Sequence, residues 1–468
     1  MDATNGKRAT FAPVARGAHP GTVVAVVASL GLLGLCGGCA EETAESNRVT
    51  DAGAMTVDAD AEAGRGDAAD AMSSIDNDAG EAFRIVSERS GVPVDDLTTS
   101  FAANATPVLL FDGESTFGWE TVAGEWKTGG RALRTTTAEA AIVSFVPFGD
   151  CRLSFDVRLP SSDATAAVTL RTDRDDAFAS GSLLVPIVAE AAASERKTAQ
   201  SISPITLDPG KWTSVRVTID LPGIEVTVAD ESLGSPQPIA EAVARSGHVG
   251  LFGSQPGVEF RRVALTPLDL RDAITPAFDW TPTGEVDVSR PDDGGFRLRG
   301  GLGFLHSESS HDDFAFQTEV TVADAATNSG VFFRAMRPTK PTEANGYEMQ
   351  VSAGIEDGDR TRPVDAGAGA IFRRADARLN LLDPGVRTPM TLVAAGDRIM
   401  TWTAGYPVAA FQDTREPDEN PRRGRRVEQG HFLLQGHDPG TDVTFHTIRI
   451  APLLSERNTA AADAATAE

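Results

Sequence analysis

The chain has 468 residues, with 67 acidic against 42 basic side chains and a formal net charge of -25. A surface of that sign repels a polyanion, which excludes most nucleic-acid binders, since these neutralise phosphates with clustered Lys and Arg. At 41% hydrophobic residues there is apolar material for a large core, and the length corresponds to about two to four domains. The 45 Gly and 27 Pro, with aromatics dominated by 22 Phe, fit many short strands joined by turns, so an all-β protein is expected.

Lys7, Arg8 and Arg16 precede an apolar run from Val23 to Leu35, followed by Cys36-Gly37-Gly38-Cys39. Basic region, apolar region and small residues make residues 1–39 a signal peptide by layout. The apolar run falls short of the roughly 20 residues a bilayer span needs. Ending on a Cys after small residues, the segment resembles the lipobox of bacterial lipoproteins, although Cys36 stands where that motif usually has Leu. The resemblance implies lipidation at Cys39, a lipid anchor in a bacterial membrane and an extracytoplasmic location, outer membrane or periplasm-facing. Cleaved secretion and an uncleaved anchor are the alternatives.

From Glu41 to Asp96 fifteen acids stand against four bases. Like-charge repulsion with low hydrophobicity cannot offset the entropy lost on folding, so residues 40–102 are expected to be a disordered acidic tether. Its one apolar patch, Phe83, Ile85 and Val86, reads as at most a short helix without function. The Ala-rich tail, 456–468, is expected to be disordered as well.

Between these ends the sequence repeats itself. Gly129-Gly130-Arg131-Ala132-Leu133-Arg134 matches Gly294-Gly295-Phe296-Arg297-Leu298-Arg299, and Leu153 to Leu159 matches Phe314 to Val320. Gly247-His248-Val249-Gly250-Leu251-Phe252-Gly253 matches Gly430-His431-Phe432-Leu433-Leu434-Gln435-Gly436. Each copy then closes on a strand, Val258, Phe260, Val263, Leu265 or Val443, Phe445, Ile448, Ile450, whose alternation breaks after the Phe. That shared break reads as one bulge. Two tandem antiparallel sandwiches of jelly-roll type follow, over 103–270 and 271–455. The offset between copies grows from 163 at Arg171/Arg334 to 183 at Gly247/Gly430, so the second copy has gained residues where site-specific elaboration is expected. Trp126 and Trp212 read as core, and Cys151 as a buried free thiol with no disulfide partner in the folded part.

Asn328-Ser329-Gly330-Val331-Phe332-Phe333-Arg334, Gly346-Tyr347-Glu348-Met349-Gln350-Val351, Gly369-Ala370-Ile371 and Leu434-Gln435-Gly436-His437 resemble, in order and spacing, the 3-keto-disaccharide hydrolase domain. Leu110-Phe111-Asp112-Gly113 with Trp119 is similar to that family's N-terminal signature. The resemblance implies concanavalin A-like β-sandwiches, a glycan or small sugar as ligand, and an oxidoreductase partner that supplies the keto-sugar. The first copy lacks a Tyr-Glu-x-Gln counterpart and reads as degenerate. In the second, the family's Trp-Asn pair near Arg387 and its closing Phe-Arg-Asn are missing, which leaves catalysis open and the fold intact.

Period two sets Tyr347, Met349 and Val351 on one face of a strand and Glu348 and Gln350 on the other. If the preceding strand is its neighbour, Arg334, Glu348, Gln350, Gln435 and His437 converge on one concave face, with Asn328 beside them. The resemblance implies base-assisted elimination from a 3-keto-glycoside followed by hydration: Glu348 and His437 as base and acid, Arg334, Gln350, Gln435 and Asn328 as substrate contacts. Glu348 has no acidic partner at strand spacing, unlike the usual pair of glycosidase carboxylates. No cofactor motif is evident; a Glu, a His and amide oxygens could serve a divalent cation, but no ligand spacing demands it. The other reading is a non-catalytic glycan-binding or cell-surface interaction protein, in which the same polar residues only ladder across a solvated sheet. His248 and His431, equivalent in the two copies, read as turn-shaping. Arg422, Arg423, Arg425 and Arg426 read as a solvated loop, with an anionic glycan as the alternative contact.

Overall fold

The computed structural model describes residues 80–98, 105–176, 181–189, 200–275, 278–342 and 345–454. The leader with Cys39, most of the acidic stretch and the Ala-rich tail lie outside the described residues.

The chain builds two β-sandwiches with one strand order. In the first, the larger sheet runs Glu231–Ser232, Gly223–Val228, Thr213–Asp220, Cys151–Arg158, Glu259–Pro267, Ala132–Thr135, Trp126–Gly129. The second repeats it as Tyr406–Gln412, Arg398–Thr403, Thr388–Ala395, Phe314–Val322, Asp442–Pro452, Phe296–Arg299, Asp287–Ser289. The smaller sheets match likewise: Leu183–Val188, Thr165–Thr172, His248–Gly253, Ala140–Ser144, Trp119–Ala123 against Tyr347–Ser352, Asn328–Ala335, Gly430–Gly436, Gly303–His311, Trp280–Gly284. The repeated glycine motif is a hairpin device. Gly129 pairs Ala132 across Gly130 and Arg131, both near φ 60°, the two-residue turn whose twist suits an antiparallel pair.

Alternation supplies the cores. Leu153, Phe155 and Val157 bury inward with Val215, Val217 and Ile219 from the paired strand; Phe314, Phe316, Met390 and Leu392 do so in the second copy. Each such side chain removed from water contributes roughly 1.5–3 kcal/mol. The shared bulge is present: register against the neighbouring strand slips between Arg261 and Ala264 in one copy and after Phe445 in the other. Cys151 is free and buried, and burial pushes its thiol pKa up to about 12.

Trp126 packs on Phe260 in the core, 6.2 Å between ring centroids. Trp212 does not join it. It is half-buried on the outer face of the first large sheet, with Arg158 and Arg261 over its ring, because it falls in the outward phase with Ser214 and Arg216, while Val215, Val217 and Ile219 point inward.

The two sandwiches fall in one compact unit and share a core. Ala315, Val393, Met400, Trp402, Ala451 and Leu453 of the second belong to the first sandwich's hydrophobic cluster. The indole Nε1 of Trp402 donates to Leu109 O (2.9 Å), and Gln317 accepts from Thr106 N and donates to Thr106 O. Helices Gly80–Ser90 and Val94–Thr98 pack on this junction through Phe83, Val86 and Leu97 against Leu109, Leu381, Tyr406 and Val408. The expected tether over 40–102 is therefore folded from Gly80 to Thr98: its small apolar patch finds a complementary surface in distant chain, which overrides local composition. Gly113 of the Leu-Phe-Asp-Gly motif lies so close to Arg89 O that a Cβ could not fit. Asp112 receives Glu114 N and Ser115 N and pairs with Arg378 of the second sandwich.

Trp402→Ala deletes a fully buried indole and is expected to cost about 3–5 kcal/mol. Equilibrium denaturation checks this; an unchanged midpoint would mean the junction contributes nothing to stability.

Candidate functional site

Asn328–Ala335 and Tyr347–Ser352 are antiparallel neighbours, as expected, with Phe332 opposite Glu348 and Gly330 opposite Gln350. Val331, Phe333, Tyr347, Met349, Val351 and Leu434 point into the core. The other face of this sheet carries Glu348, Gln350, Leu433 and Gln435 around Gly330 and Phe332. A Cβ on Gly330 would fall 2.6 Å from Glu348 Oε1, so the glycine leaves room for the carboxylate.

Arg334 is not on that face. The register slips between Phe332 and Ala335 and Arg334 takes φ 46°, which turns its side chain inward. The guanidinium, 1% exposed, pairs with Asp313 (2.9 Å) and donates to the carbonyls of Asp312, Gly396 and Arg426. Arg171 repeats this in the first sandwich, with φ 56°, buried and paired with Asp150. Gly247 and Gly430 face these arginines at contact too close for any Cβ. The expected substrate contact is therefore a structural ion pair present in both copies, because a bulge reverses the phase that period two predicts. His248 and His431 are equally matched: their Nδ1 atoms meet Ser144 O and Ser307 O of the neighbouring strand at 2.6 and 2.9 Å, a cross-strand contact rather than the expected turn.

The cation that reaches Glu348 comes from the Arg-rich loop. Tyr347 Oη donates to Asp413 and accepts from Arg426 N. Arg415 pairs with Asp413 and donates to Pro421 O and Gly424 O, while Asn420 donates to Asn345 Oδ1. These bonds fix the loop so that Arg422 lies over Phe332 and donates to Glu348 Oε2 at 2.7 Å. Arg423 instead pairs with Asp418 in solvent. The expected solvated loop is thus corrected at Arg422, and the signal for it was a dense Arg run within the segment the second copy had gained.

Glu348 is 4% exposed. Burial raises its pKa, opposed first by the Arg422 charge and hydrogen bond and then by His437. Gln350 Nε2 donates to Asn328 Oδ1 (3.1 Å), while Gln350 Oε1 and Gln435 Oε1 are buried without a protein partner. Unpaired acceptors of that kind are costly unless a donor arrives, and sugar hydroxyls are donors. His437 lies just beyond the end of Gly430–Gly436, exposed, with Nδ1 2.8 Å from Asp438 Oδ2. The structure thus groups Asn328, Glu348, Gln350 and Gln435, sets His437 at the rim and adds Arg422.

At the equivalent positions the first sandwich has Leu184, Pro186 and Phe252. Leu184 and Phe252 cluster there with Ala141, Val143 and Ala167, an apolar surface without counterparts of Glu348, Gln350 and Gln435. Among the described residues no group of three or more His, Cys, Asp or Glu side chains is arranged to hold a metal ion.

Residues 106–266 and 275–451 each match the family described as 3-keto-alpha-glucoside-1,2-lyase-like domain. No curated protein matches the chain. Similar solved structures include a putative glycosyl hydrolase from Parabacteroides distasonis, 15% identical over 37% of this chain and 97% of its own, TM-score 0.31. A carbohydrate binding module from Bacillus subtilis is 19% identical over 36% of this chain and 92% of its own, TM-score 0.26. A protein of unknown function with a galectin-like fold, also from Bacillus subtilis, is 11% identical over 39% and 97%, TM-score 0.26.

Breaking a buried ion pair strands its partner and costs roughly 3–5 kcal/mol. Arg334→Ala and Arg171→Ala are expected to lower the denaturation midpoint comparably. Loss of sugar binding in Arg334→Ala at an unchanged midpoint would instead return Arg334 to the site.

Proposed function

The chain belongs to the 3-keto-alpha-glucoside-1,2-lyase-like domain family, and on that premise we propose that its second sandwich cleaves 3-keto-glycosides outside the cytoplasm by base-assisted elimination and hydration. The observation that carries this reading is Glu348: a buried carboxylate whose pKa is raised, beside one arginine and two unpaired amide oxygens, at positions that are apolar in the sister copy. A base of raised pKa is suited to proton abstraction near neutrality.

A ketone at C3 acidifies the hydrogen on C2. Glu348 takes that proton, Arg422 stabilises the enolate oxygen that develops at C3, and the electron pair then forms the C1–C2 double bond as the C1–O glycosidic bond breaks. His437, held by Asp438, gives the leaving oxygen its proton. Water then adds across the double bond, returning the proton to C2 and placing a hydroxyl on C1. Gln350, Gln435 and Asn328 hold the sugar hydroxyls. A keto substrate requires an oxidoreductase upstream that oxidises the C3 hydroxyl. The leader motif supports display on a bacterial membrane through a lipid at Cys39.

One observation favours a second reading, glycan binding without turnover: the Arg422 ion pair already engages Glu348, and no second carboxylate accompanies it in the polar group described above. Incubating the full chain with a 3-keto-disaccharide decides between them. Turnover is expected, with Glu348→Gln lowering kcat by roughly 10²–10⁴ while sugar binding persists. No turnover with retained binding establishes the second reading.

The ionised form of Glu348 is the base. Because burial raises its pKa, activity is expected to fall with decreasing pH at a point above the ordinary carboxylate range. Arg422→Gln removes the charge that favours the carboxylate and should move that limb to still higher pH; a limb that stays put or moves down contradicts the assignment of Glu348 as base.

A further inference from the structure

The outer face of the first sandwich's large sheet has no counterpart to the junction that covers the same face of the second. It holds a groove of about 490 Å³ lined by Lys127, Arg134, Arg158, Trp212, Glu259 and Arg261, with Gly129 and Gly130 at one side. Four cations thus face one anion, on a chain whose net charge is -25.

The single carboxylate is spent. Glu259, 3% exposed, accepts Nε of Arg134 at 2.6 Å on one oxygen and Nε of Arg158 at 2.5 Å on the other, and each arginine adds an Nη2 contact. Arg261 uses Nε for Asp156. Among the described residues the Nη1 groups of Arg134 and Arg158, both terminal nitrogens of Arg261 and the Lys127 amine have no protein acceptor. Trp212 fixes the array from above, with the guanidinium carbons of Arg158 and Arg261 at 4.7 and 4.2 Å from its ring. Cation–π contact and the shared carboxylate hold planar donors in place before any ligand arrives, which lowers the entropic cost of binding. Gly129 and Gly130 have nothing within 4 Å of where a Cβ would lie, so that side of the groove is open and flat.

We propose that this groove binds a hexuronate residue of an acidic saccharide, its carboxylate between Arg134, Arg158 and Arg261 and its ring against the Trp212 edge and the glycine turn. With both terminal nitrogens free, Arg261 can meet a carboxylate two bonds at a time, Arg134 and Arg158 add one Nη1 donor each, and the Trp212 edge gives the sugar ring an apolar neighbour. Screening limits the reach of the chain's other charges to about 8 Å at physiological salt, so a short acidic saccharide experiences the local excess of cations. The proposal does not rest on chemistry in the second sandwich.

Calorimetric titration of the full chain with trigalacturonate tests it, with tryptophan fluorescence as a second readout. Expected are saturable binding, at least tenfold weaker for Arg134→Gln, Arg261→Gln and Trp212→Ala, unchanged for Glu348→Gln, and absent for the fully methyl-esterified trisaccharide. Lys127→Gln guards against misfolding, since that side chain makes no hydrogen bond or ion pair among the described residues; it is expected to weaken binding severalfold at an unchanged melting temperature. No binding, equal binding of the ester, displacement by acetate at matching concentration, or full affinity in folded Arg134→Gln and Arg261→Gln each overturn the proposal.

Discussion

The outer face of the second sandwich's large sheet is buried around Gln317, Thr391 and Trp402 because the first sandwich lies on it there, and much of the remaining architecture follows from that burial. A sheet buried on both faces cannot leave polar groups unpaired. Gln317 therefore exchanges two bonds with the backbone of Thr106, and Trp402 spends its only donor on Leu109. The loops added to the second copy divide between the junction, where Leu381 meets the N-terminal helices and Arg378 pairs with Asp112, and the opposite sheet, where Arg422 reaches Glu348. In the first copy the large sheet has no such cover, and its outer residues became an Arg–Glu–Arg ladder compatible with water.

The two copies thus share a frame and differ at their surfaces. The frame is polar as well as apolar: Arg171 with Asp150 and Arg334 with Asp313 clamp the same bulge, and Ser144 with His248 and Ser307 with His431 tie the same pair of strands. The chemistry diverges at outward positions, where the first copy puts leucine, proline and phenylalanine and the second a carboxylate and amides. A side chain that recurs in a copy without a polar site is doing structural duty, and that test separates Arg334 from Glu348 better than burial, since both are buried.

The strand pattern, the duplication and the shared bulge were legible because alternation and turn glycines are local properties. Glu348 and Gln350 could be placed on one face for the same reason. Arg334 could not: a single extra residue reverses the phase, and nothing in Phe332-Phe333-Arg334 marks where the slip occurs. Trp212 was misread because its own parity was overlooked: alternation with Val215, Val217 and Ile219 puts it outward. A short helix at Phe83, Ile85 and Val86 could be read, but not its place in the fold, because the packing over 80–98 comes from Leu381, Tyr406 and Val408, some three hundred residues away. Arg422 was visible as a member of a basic run, but its partner is set by Tyr347 and Arg415 holding the loop, and such tertiary bonds leave no periodic trace.

That separation in sequence also orders events in time. Leu109 is bonded to a tryptophan 293 residues further on, and the helices before it rest on the same late segment. At a synthesis rate of 5–20 residues per second, the interval between the two is roughly 15 to 60 s. The first sandwich has all its own strands only once Pro267 has emerged, when Glu259–Pro267 pairs Val108–Leu109; from then on Leu109 O still waits for Trp402, and Phe83, Val86 and Leu97 for Leu381, Tyr406 and Val408. The nascent chain therefore carries a greasy flap until its last third emerges.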